Sequence, residues 1–450
     1  MKTFTKFQID RAGLQAEGCN HNRKARSMRI GFLTGFIILL AYSLGLRDSA
    51  AQSWQQVPSM TLARQKDTAT LLPDGRALIA GGYFLTSAEI FDPRTATWTT
   101  TGPMTTNAFE STATLLPNGK VLVAGGEDYH ILASAQLFDP ATSNWTATGS
   151  MRTGHDSHTA TLLPNGKVLV AGGWSGTVYQ GIANAELYDA ASGKWTATAP
   201  MLSPRFAHTA TLLPNGKVLV AGGYHLGTLY SAELYDPTFG TWTAANPMST
   251  NRANHTATLL PNGKVFVAAG AGIGTYNTAE LFDPATGNWT NTAPMNLIRL
   301  NHTATLLRDG RVLIAGGWNV DMGALSDSEI YDPATDTWSP SGNMIAPRDW
   351  HTATLLPNGT VLIAGGTSTN NATSSAELFR PDPVLRASAS GGNLTLSWPA
   401  TKAGSFHLQT ASDLSGTNWT DAGNLVVTTN GTSQATIPIG QGAGFYRLKN

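Results

Sequence analysis

The sequence predicts an all-β protein whose main part is a closed ring of seven four-stranded blades, followed by a small β-sandwich-like module. The first observation is repetition, because the segment HTATLLPNGKVLVAGG at 158–173 recurs in recognisable form seven times. The second is composition: 47 glycines and 23 prolines among 450 residues are typical of many short strands joined by turns. Only 13% of the residues are charged and 41% are hydrophobic, which argues against a disordered chain or a coiled coil.

The chain begins with a predicted export signal. Basic residues between Arg23 and Arg29 precede the uncharged run 30–46, and small residues suited to cleavage follow at 49–51. Residues 1–51 are therefore assigned to a signal peptide. An uncleaved N-terminal anchor is the alternative, although the run is slightly short for a membrane span. We expect an exported protein, periplasmic, on the cell surface or secreted, with no membrane span if the signal is cleaved.

Cleavage would also change the charge and remove the only cysteine. Residues 52–450 contain 21 basic and 26 acidic residues, a net charge of −5. A chain with net negative charge gains nothing from releasing the counterions of nucleic acid, so we expect no nucleic-acid partner. Cys19 lies in the removed segment, which leaves no disulfide and no cysteine-bearing metal site. We predict no cofactor and no metal.

Each repeat divides into four predicted strands. The runs HTATLL, KVLVAGG, AELYD and WTATAPM alternate or are rich in β-branched residues, and turn residues separate them. The Pro-Asn-Gly between the first two runs is typical of a tight antiparallel hairpin. A four-stranded unit cannot bury both of its faces alone, and radial closure removes the exposed edges. The first threonines of the seven repeats are Thr68, Thr112, Thr159, Thr209, Thr256, Thr303 and Thr352.

The repeat resembles the kelch motif. The resemblance lies in the Gly-Gly after an apolar strand, the Tyr or Phe of AELYDP, and the Trp a few residues later. It implies a seven-bladed β-propeller of the galactose oxidase and kelch superfamily over residues 52–382. Enzymes of the galactose oxidase type use copper with a tyrosine cross-linked to a cysteine. A mature chain without cysteine excludes that chemistry.

The phase of the repeat predicts how the ring closes. The seventh copy has HTATLL, VLIAGG and AELF but no Trp strand after Phe379. The segment Ser53–Met60 matches the end of a repeat and contains Trp54. We therefore expect the N-terminal strand to complete the seventh blade.

One face of the ring is the predicted binding face. The segments between Met and HTATLL and those between Gly-Gly and AEL meet there, and their lengths vary most. Exposed aromatic residues at such a position suit stacking on sugars or anchoring a protein, and packing against neighbouring loops is the alternative. The residues that directly follow the glycine pair are Tyr83, Glu127, Trp174, Tyr224, Ala271, Trp318 and Thr367. Further aromatic residues and histidines of the same loops are Tyr129, His130, Tyr179, His225, Tyr230 and Tyr276.

A cation follows most repeat methionines by four residues, and the binding prediction includes these positions. They could bind a ligand carboxylate, or they could pair with the glutamates of the AEL segments. The second copy lacks both partners, having Ala108 and Gln136, which favours structural pairing. The positions included in the predicted ligand-binding face are His155, Arg205, Arg252, Arg299 and Arg348, and Arg64 is the equivalent residue of the first copy.

The histidines that open five repeats, from His158 to His351, invite a metal hypothesis. Equivalent residues of separate blades are spread around a ring, however, so an architectural role is favoured and no catalytic residue is assigned. Residues that break the symmetry are better candidates for acid–base chemistry. They are Asp67, Glu110, Glu127, Asp128, His155, Asp156 and Asp349.

The last segment, 383–450, forms a separate predicted module. Short alternating strands separated by Gly and Asn turns predict a small sandwich. It resembles the fibronectin-like modules that end many exported bacterial proteins, which implies attachment to a surface or polymer. A stabilising cap is the alternative. The predicted interior consists of Leu394, Leu396, Trp398, Phe406, Leu408, Trp419, Ile437 and Phe445.

The leading hypothesis is an exported, non-catalytic propeller that recognises a carbohydrate or an extracellular or cell-surface protein through its long-loop face. One rival is a carbohydrate-active enzyme, an isomerase or lyase acting on an acidic sugar, with arginines as carboxylate clamps. A structural or adhesion scaffold is the other rival. An enzyme needs converging acid–base groups in one sector, whereas a binder can use shallow aromatic residues.

Overall fold

The structure, a computed structural model, consists of β-strands joined by turns and loops. It describes residues 4–10, 13–19, 27–33, 36–42, 53–107, 109–174, 176, 180–272, 274–369, 371–381, 386–390, 393–399, 407–411, 420–421, 426–429, 432–438 and 445–449. The chain forms two compact units, Trp54–Arg380 and the combination of Met1–Ser53 with Pro381–Asn450. None of these described segments contains a helix long and apolar enough to cross a membrane.

Five strands precede the first complete blade. They are β1 (Phe4–Asp10), β2 (Gly13–Cys19), β3 (Ser27–Leu33), β4 (Phe36–Tyr42) and β5 (Ser53–Val57). Strands β3 and β4 overlap the apolar run that the sequence assigns to the export signal. Export and cleavage stay predictions.

The unit Trp54–Arg380 is a seven-bladed propeller, as predicted. In blades 1 to 6 the strands follow one another from the centre to the rim, and every neighbouring pair is antiparallel.

Blade 1 is β6 (Thr68–Leu71), β7 (Ala77–Ala80), β8 (Ala88–Asp92) and β9 (Thr97–Thr100); blade 2 is β10 (Thr112–Leu115), β11 (Val121–Ala124), β12 (Ala135–Asp139) and β13 (Asn144–Ala147); blade 3 is β14 (Thr159–Leu162), β15 (Val168–Ala171), β16 (Ala185–Asp189) and β17 (Lys194–Ala197). Blade 4 is β18 (Thr209–Leu212), β19 (Val218–Ala221), β20 (Ala232–Asp236) and β21 (Thr241–Ala245); blade 5 is β22 (Thr256–Leu259), β23 (Val265–Ala268), β24 (Ala279–Asp283) and β25 (Asn288–Asn291).

Blade 6 is β26 (Thr303–Leu306), β27 (Val312–Ala315), β30 (Asp327–Asp332) and β31 (Thr337–Asn343), and the hairpin β28 (Trp318–Asn319) and β29 (Gly323–Ala324) lies between its second and third strands. Blade 7 is β32 (Thr352–Leu355), β33 (Val361–Ala364), β36 (Ala376–Arg380) and β5, with the hairpin β34 (Thr367–Ser368) and β35 (Asn371–Ala372).

The hydrophobic core lies between adjacent blades. The second strand of each blade is buried along its whole length, as in β19. One core cluster joins Leu169 and Met201 of blade 3 to Val218, Val220 and Tyr235 of blade 4, and similar clusters follow around the ring. Burial of apolar surface contributes about 25 cal/mol per Å² to the stability of the fold. Because this surface is buried only where two blades meet, each blade is stable only beside its neighbours.

The ring is closed by the N-terminal strand, which confirms the prediction. The sheet order of blade 7 is β32, β33, β36 and β5. The first strand of each blade contacts the first strands of both neighbouring blades, and β32 contacts β6. The seven first strands therefore surround the central axis without a gap.

The described segments of the second unit are β-strands as well. After the propeller come β37 (Arg386–Ser390), β38 (Asn393–Pro399), β39 (His407–Ala411), β40 (Thr420–Asp421), β41 (Val426–Thr429), β42 (Thr432–Pro438) and β43 (Phe445–Lys449). They form the sheets β37-β38-β42-β41 and β4-β3-β43-β39-β40.

Part of the predicted interior of this unit is confirmed. Leu396, Trp398 and Leu408 are buried, and Ile437 is half-buried. Phe406 and Trp419 lie outside the described residues, as do the side chains of Leu394 and Phe445.

Candidate functional site

The glycine pairs turn the chain where little room exists, as the sequence suggests. Gly172 and Gly173 both have positive φ, 66° and 123°. A Cβ on Gly172 would lie 2.5 Å from the carbonyl oxygen of Arg205, and one on Gly173 would lie 2.8 Å from that of Asp156. The pair is therefore structural, because a Cβ in this conformation and at this close approach is strained; blade 5 tolerates Ala269 at the first position, with φ 61°, and keeps Gly270 at the second.

The two loop segments of each blade meet on one face, as predicted. The segment before the first strand pairs with the segment after the second strand through isolated β-bridges. We call this surface the loop face. Its bridges include Phe109 with Glu127, Asp156 with Trp174, Phe206 with Tyr224, Ala253 with Ala271, Leu300 with Trp318, and Asp349 with Thr367.

The arginines placed on the ligand-binding face are buried, and this corrects the prediction that they contact a ligand. In blade 4, Arg205 donates to the carbonyl oxygen of Gly222 at 2.7 Å and to Glu233 Oε1 at 2.6 Å. A guanidinium that is buried and already paired with a buried glutamate is not available to a ligand carboxylate. The fully buried members of this set are Arg64, Arg205, Arg252, Arg299 and Arg348, and their carboxylate partners are Glu89, Glu233, Glu280, Glu329 and Glu377.

The two exceptional blades follow the same structural logic. In blade 2, Gln136 replaces the glutamate and accepts from the backbone N–H of Thr105 at 2.7 Å. In blade 3, His155 replaces the arginine; its Nδ1 lies 2.6 Å from the Gly172 carbonyl and its Nε2 lies 3.6 Å from Glu186. His155 is fully buried, so its assignment to the ligand-binding face is corrected as well.

The repeat histidines connect neighbouring blades. The Nε2 of His208 lies 3.0 Å from the Thr159 hydroxyl of the preceding blade, and His158, His255, His302 and His351 repeat this contact. Burial holds their pKa values below the usual range, to about 3 for His302. The contacts support the architectural interpretation.

Seven residues with positive φ form a ring at the loop-face end of the central channel, directly before the first strands. We call this ring the collar; it consists of Lys66, Glu110, Ser157, Ala207, Asn254, Asn301 and Trp350. Each collar residue contacts the next one around the ring. In six of the seven contacts, the backbone N–H of one collar residue donates to the carbonyl oxygen of the preceding collar residue, at 3.0 to 3.3 Å. At the seventh, the Ser157 hydroxyl donates to Glu110 Oε2 at 2.8 Å. Nothing in the sequence pattern marks Lys66, Ser157 or Trp350 as members of such a ring.

The loop face of blades 1 and 2 presents clustered aromatic side chains. The Phe84 ring stacks on Tyr129 with centroids 4.6 Å apart, and Tyr83 contacts both Phe84 at 4.2 Å and Phe109 at 5.2 Å. Tyr129 is 75% exposed and Tyr83 is 50% exposed. We call Tyr83, Phe84, Phe109 and Tyr129 the aromatic patch. The sequence singled out Tyr83 and Tyr129 but missed the two phenylalanines between them.

Most of the other predicted aromatic residues are less accessible. Trp174, Tyr224 and Trp318 are half-buried, and their backbones take part in the loop-face bridges. The Tyr224 ring lies 5.6 Å from Phe206. Tyr179 lies outside the described residues. Tyr230 of blade 4 is 58% exposed, so the loop face has one exposed ring there as well as the cluster of rings at blades 1 and 2.

An acidic pocket adjoins the aromatic patch. Lys66 forms an ion pair with Glu110, and its ammonium lies 4.3 Å from the centre of the Trp350 ring. Asp156 is 2% exposed, and the Ser157 hydroxyl lies 3.4 Å from its Oδ2. Burial raises the pKa of Asp156 to about 8, and the charges of Glu110 and Glu127 act in the same direction. We call Lys66, Glu110, Glu127 and Asp156 the acidic pocket.

Two further buried carboxyls belong to the same sector. Burial raises the pKa of Asp349 to about 6, and the charge of Lys66 partly opposes this. Burial also raises the pKa of Asp67 to about 7, although Arg64 lies close enough to lower it. Asp67 occupies the histidine position of blade 1, and its Oδ2 accepts from the Thr352 hydroxyl at 3.3 Å. The structure thus brings four symmetry-breaking carboxyls, Glu110, Glu127, Asp156 and Asp349, to one side of the channel mouth.

Comparisons with known proteins agree with this architecture. A family model described as the KLHDC2/KLHL20/DRC7 Kelch-repeats domain matches residues 157–366. A fungal alcohol oxidase of the AA5 family, solved in complex with copper, is 19% identical; the match covers 89% of this chain and 93% of that chain, with a TM-score of 0.63. The structure of YjhT is 16% identical, with coverages of 63% and 99% and a TM-score of 0.52. No curated protein matches the sequence. At these identities the solved structures show the fold alone.

The residues of this chain do not fit a copper centre like that of the oxidase, which was solved in complex with copper. The propeller contains no cysteine, and Cys19 lies well before it. Among the residues that the structure describes, no group of three or more His, Cys, Asp or Glu is arranged to bind a metal. The repeat histidines are engaged with threonines of neighbouring blades. We therefore derive no copper chemistry for this protein.

Proposed function

We propose that this kelch-repeat β-propeller recognises a carbohydrate through the loop face of blades 1 and 2. A binding or scaffold role is what the kelch fold supports in general. The observation that supports a carbohydrate is the aromatic patch, in which Tyr83, Phe84 and Tyr129 keep ring surface exposed. Aromatic faces stack on the apolar faces of sugar rings while their edges and hydroxyl groups stay hydrated.

The surroundings of the patch support this proposal. Tyr129 and Phe84 both have positive φ, near 56°. Such a backbone conformation persists only where the surrounding structure holds it, so the loop tips fix the points at which the two rings leave the backbone. The acidic pocket next to the patch supplies hydrogen-bond acceptors for sugar hydroxyls. A stacking surface beside converging polar groups is the usual composition of a small-ligand site.

The test is binding of the full-length protein to an array of oligosaccharides and polysaccharides. We expect at least one glycan class to bind, and the Tyr83→Ala/Tyr129→Ala variant to bind at least tenfold more weakly. Phe239→Ala is the matched control, because Phe239 is 77% exposed in the turn between β20 and β21 at the opposite face. Equal loss in the control, or unchanged binding in the double variant, would contradict the proposal.

The same experiment separates the rival functions. If no glycan binds and the loop face captures a protein instead, the function is protein recognition. If the best glycan is converted to a product, the site is an enzyme of the isomerase or lyase type. The arginine clamp of that hypothesis has no support, because the guanidinium groups are buried and paired with glutamates.

Export is part of the proposal. It rests on the basic residues before the apolar run 30–46 and on the small residues at 49–51. The check is cell fractionation combined with N-terminal sequencing of the mature protein. A start near residue 52 in an exported fraction supports the proposal, and an intact N-terminus in the cytoplasm would overturn it.

A further inference from the structure

The acidic pocket has more negative charge than its single cation can balance. Lys66 pairs with Glu110 and also lies over the Trp350 ring. Among the described residues, no basic side chain lies within ion-pair distance of Asp156 or Glu127. The pocket therefore favours a positive ligand group when these carboxyls ionise.

One buried oxygen atom of the pocket lacks a hydrogen-bond partner. It is Oδ1 of Asp156, a residue that is only 2% exposed. The neighbouring buried carboxyl of Asp349 differs, because the Asn301 side chain hydrogen-bonds to it. Buried polar atoms are nearly always hydrogen-bonded in native proteins, so Oδ1 of Asp156 marks a place for an external donor. An ammonium group supplies three donors and a positive charge together.

The pocket is continuous with the aromatic patch. Phe109 belongs to the patch and directly precedes Glu110, while its backbone N–H and carbonyl pair with Glu127. A sugar ring stacked on Tyr83 or Phe84 therefore has its substituents next to the carboxyls of the pocket. This step rests on the proposed carbohydrate function.

We propose that the acidic pocket is a subsite for the free ammonium group of an amino sugar, so that the ligand class is a glycan containing de-N-acetylated hexosamine. The ammonium would donate to Asp156 Oδ1 and lie against the Glu127 carboxylate. The ring that carries it would stack on the aromatic patch. An N-acetyl group in the same position would bring a bulky neutral amide and leave the pocket without a cation.

The protonation of Asp156 affects how this occupant binds. Glu110, Glu127 and Lys66 are the charged groups that face Asp156, and burial, the two glutamate charges and a hydrogen bond to Glu110 raise its pKa to about 8. A bound cation lowers that pKa, so binding at pH 6 releases the Asp156 proton and part of the ion-pair energy offsets that release, while Glu127 supplies the second acceptor.

The experiment compares two probes, a glucosamine oligomer and the N-acetylglucosamine oligomer of equal length, by titration calorimetry at pH 6. At that pH the amines carry charge. We expect the full-length protein to bind the glucosamine oligomer about tenfold more tightly, because a charge-assisted hydrogen bond is added. High salt should reduce the preference more than it reduces binding of the neutral probe.

Variants assign the preference to the pocket. Asp156→Asn and Glu127→Gln should each remove most of the preference while binding of the N-acetylated oligomer stays unchanged. Tyr129→Ala should weaken both probes equally. Asp139→Asn, at the end of β12 on the opposite face of blade 2, is the matched control for general surface charge and should keep the full preference.

The outcomes are distinguishable. Equal binding of both oligomers, or a preference that survives Asp156→Asn and Glu127→Gln in folded protein, overturns this inference and leaves carbohydrate recognition standing. Failure to bind either oligomer or any other glycan overturns the proposed function together with it. Melting curves of each variant separate loss of the subsite from loss of the fold.

Discussion

The rings of Trp54 and Phe379 pack with centroids 5.0 Å apart, although these residues lie in the first and last strands of the propeller chain. Complete blades contain the same contact within one continuous segment, as between Tyr188 and Trp195 at 5.0 Å. The indole N–H of Trp54 also donates to the Ser328 hydroxyl of blade 6 at 3.3 Å. The closing joint therefore has the geometry of an ordinary blade.

Trp54→Ala should destabilise the whole ring. The substitution removes the Phe379 contact and leaves a cavity at the joint, which costs about 3 kcal/mol by analogy with other aromatic truncations. Truncation to Met60 should lower the melting temperature further, because β36 then lacks its outer partner. Thermal and denaturant unfolding measure both effects, with Phe239→Ala as the exposed control. Unchanged unfolding of the truncated protein would show that β5 does not close the ring.

Arg205→Met should destabilise the protein by about 3 to 5 kcal/mol. It leaves Glu233 buried without its cation, and an unpaired buried charge is strongly unfavourable. Replacing both partners, as Arg205→Met/Glu233→Leu, should cost less than the single change. Arg94→Ala is the control, because that ion pair is exposed and should leave the melting temperature unchanged. A double variant that is less stable than Arg205→Met would contradict the pairing argument.

The repeat histidines should make the fold sensitive to acid. The pKa of His302 is about 3 in the fold against about 6.5 in the unfolded chain, so below pH 6.5 the unfolded state binds the additional proton. Stability should therefore fall as the pH drops below 6.5, by roughly 1.4 kcal/mol per pH unit for each such histidine. His302→Gln should reduce this slope in unfolding experiments between pH 7 and 4. An identical slope in the variant would exclude the titration of His302 as a cause.

Asp67 should have the opposite effect of the histidines on the pH dependence of stability. Its pKa is raised to about 7, so between about pH 4 and 7 the folded state holds a proton that the unfolded state has lost. This group's contribution to stability falls as the pH rises through that window and is constant above it. Asp67→Asn should gain stability relative to the parent as the pH rises from 4 to 7, so its advantage in melting temperature should be larger at pH 8 than at pH 5. A difference in melting temperature that is the same at both pH values would contradict the assignment.

The fold could be predicted because its determinants recur along the chain. Seven copies of one motif define the strands, and the missing Trp strand of the seventh copy identifies Trp54 as its replacement. The pairing of Arg205 with Glu233 could also be weighed from the sequence, because both residues recur together.

The site was less predictable because it depends on residues that occur once each. Lys66, Ser157 and Trp350 occupy the same repeat position but share no chemistry, so no pattern marks them. The contact of Lys66 with Trp350 also requires ring closure, which brings blade 7 beside blade 1. Such proximity follows from tertiary geometry and leaves no signal at a fixed sequence spacing.

Closure of blade 7 by β5 also determines the order of events during folding. Synthesis produces β5 before every other strand of the propeller and its partner β36 after all of them. A nascent chain that lacks blade 7 exposes the apolar sides of its two terminal blades and has an unpaired strand at its start. Blades 3 to 6 are nearly identical in their first two strands, so such a chain also has several competing partners for each strand. The propeller therefore reaches its stable form only when the chain is complete, and its incomplete forms are the stage at which aggregation competes.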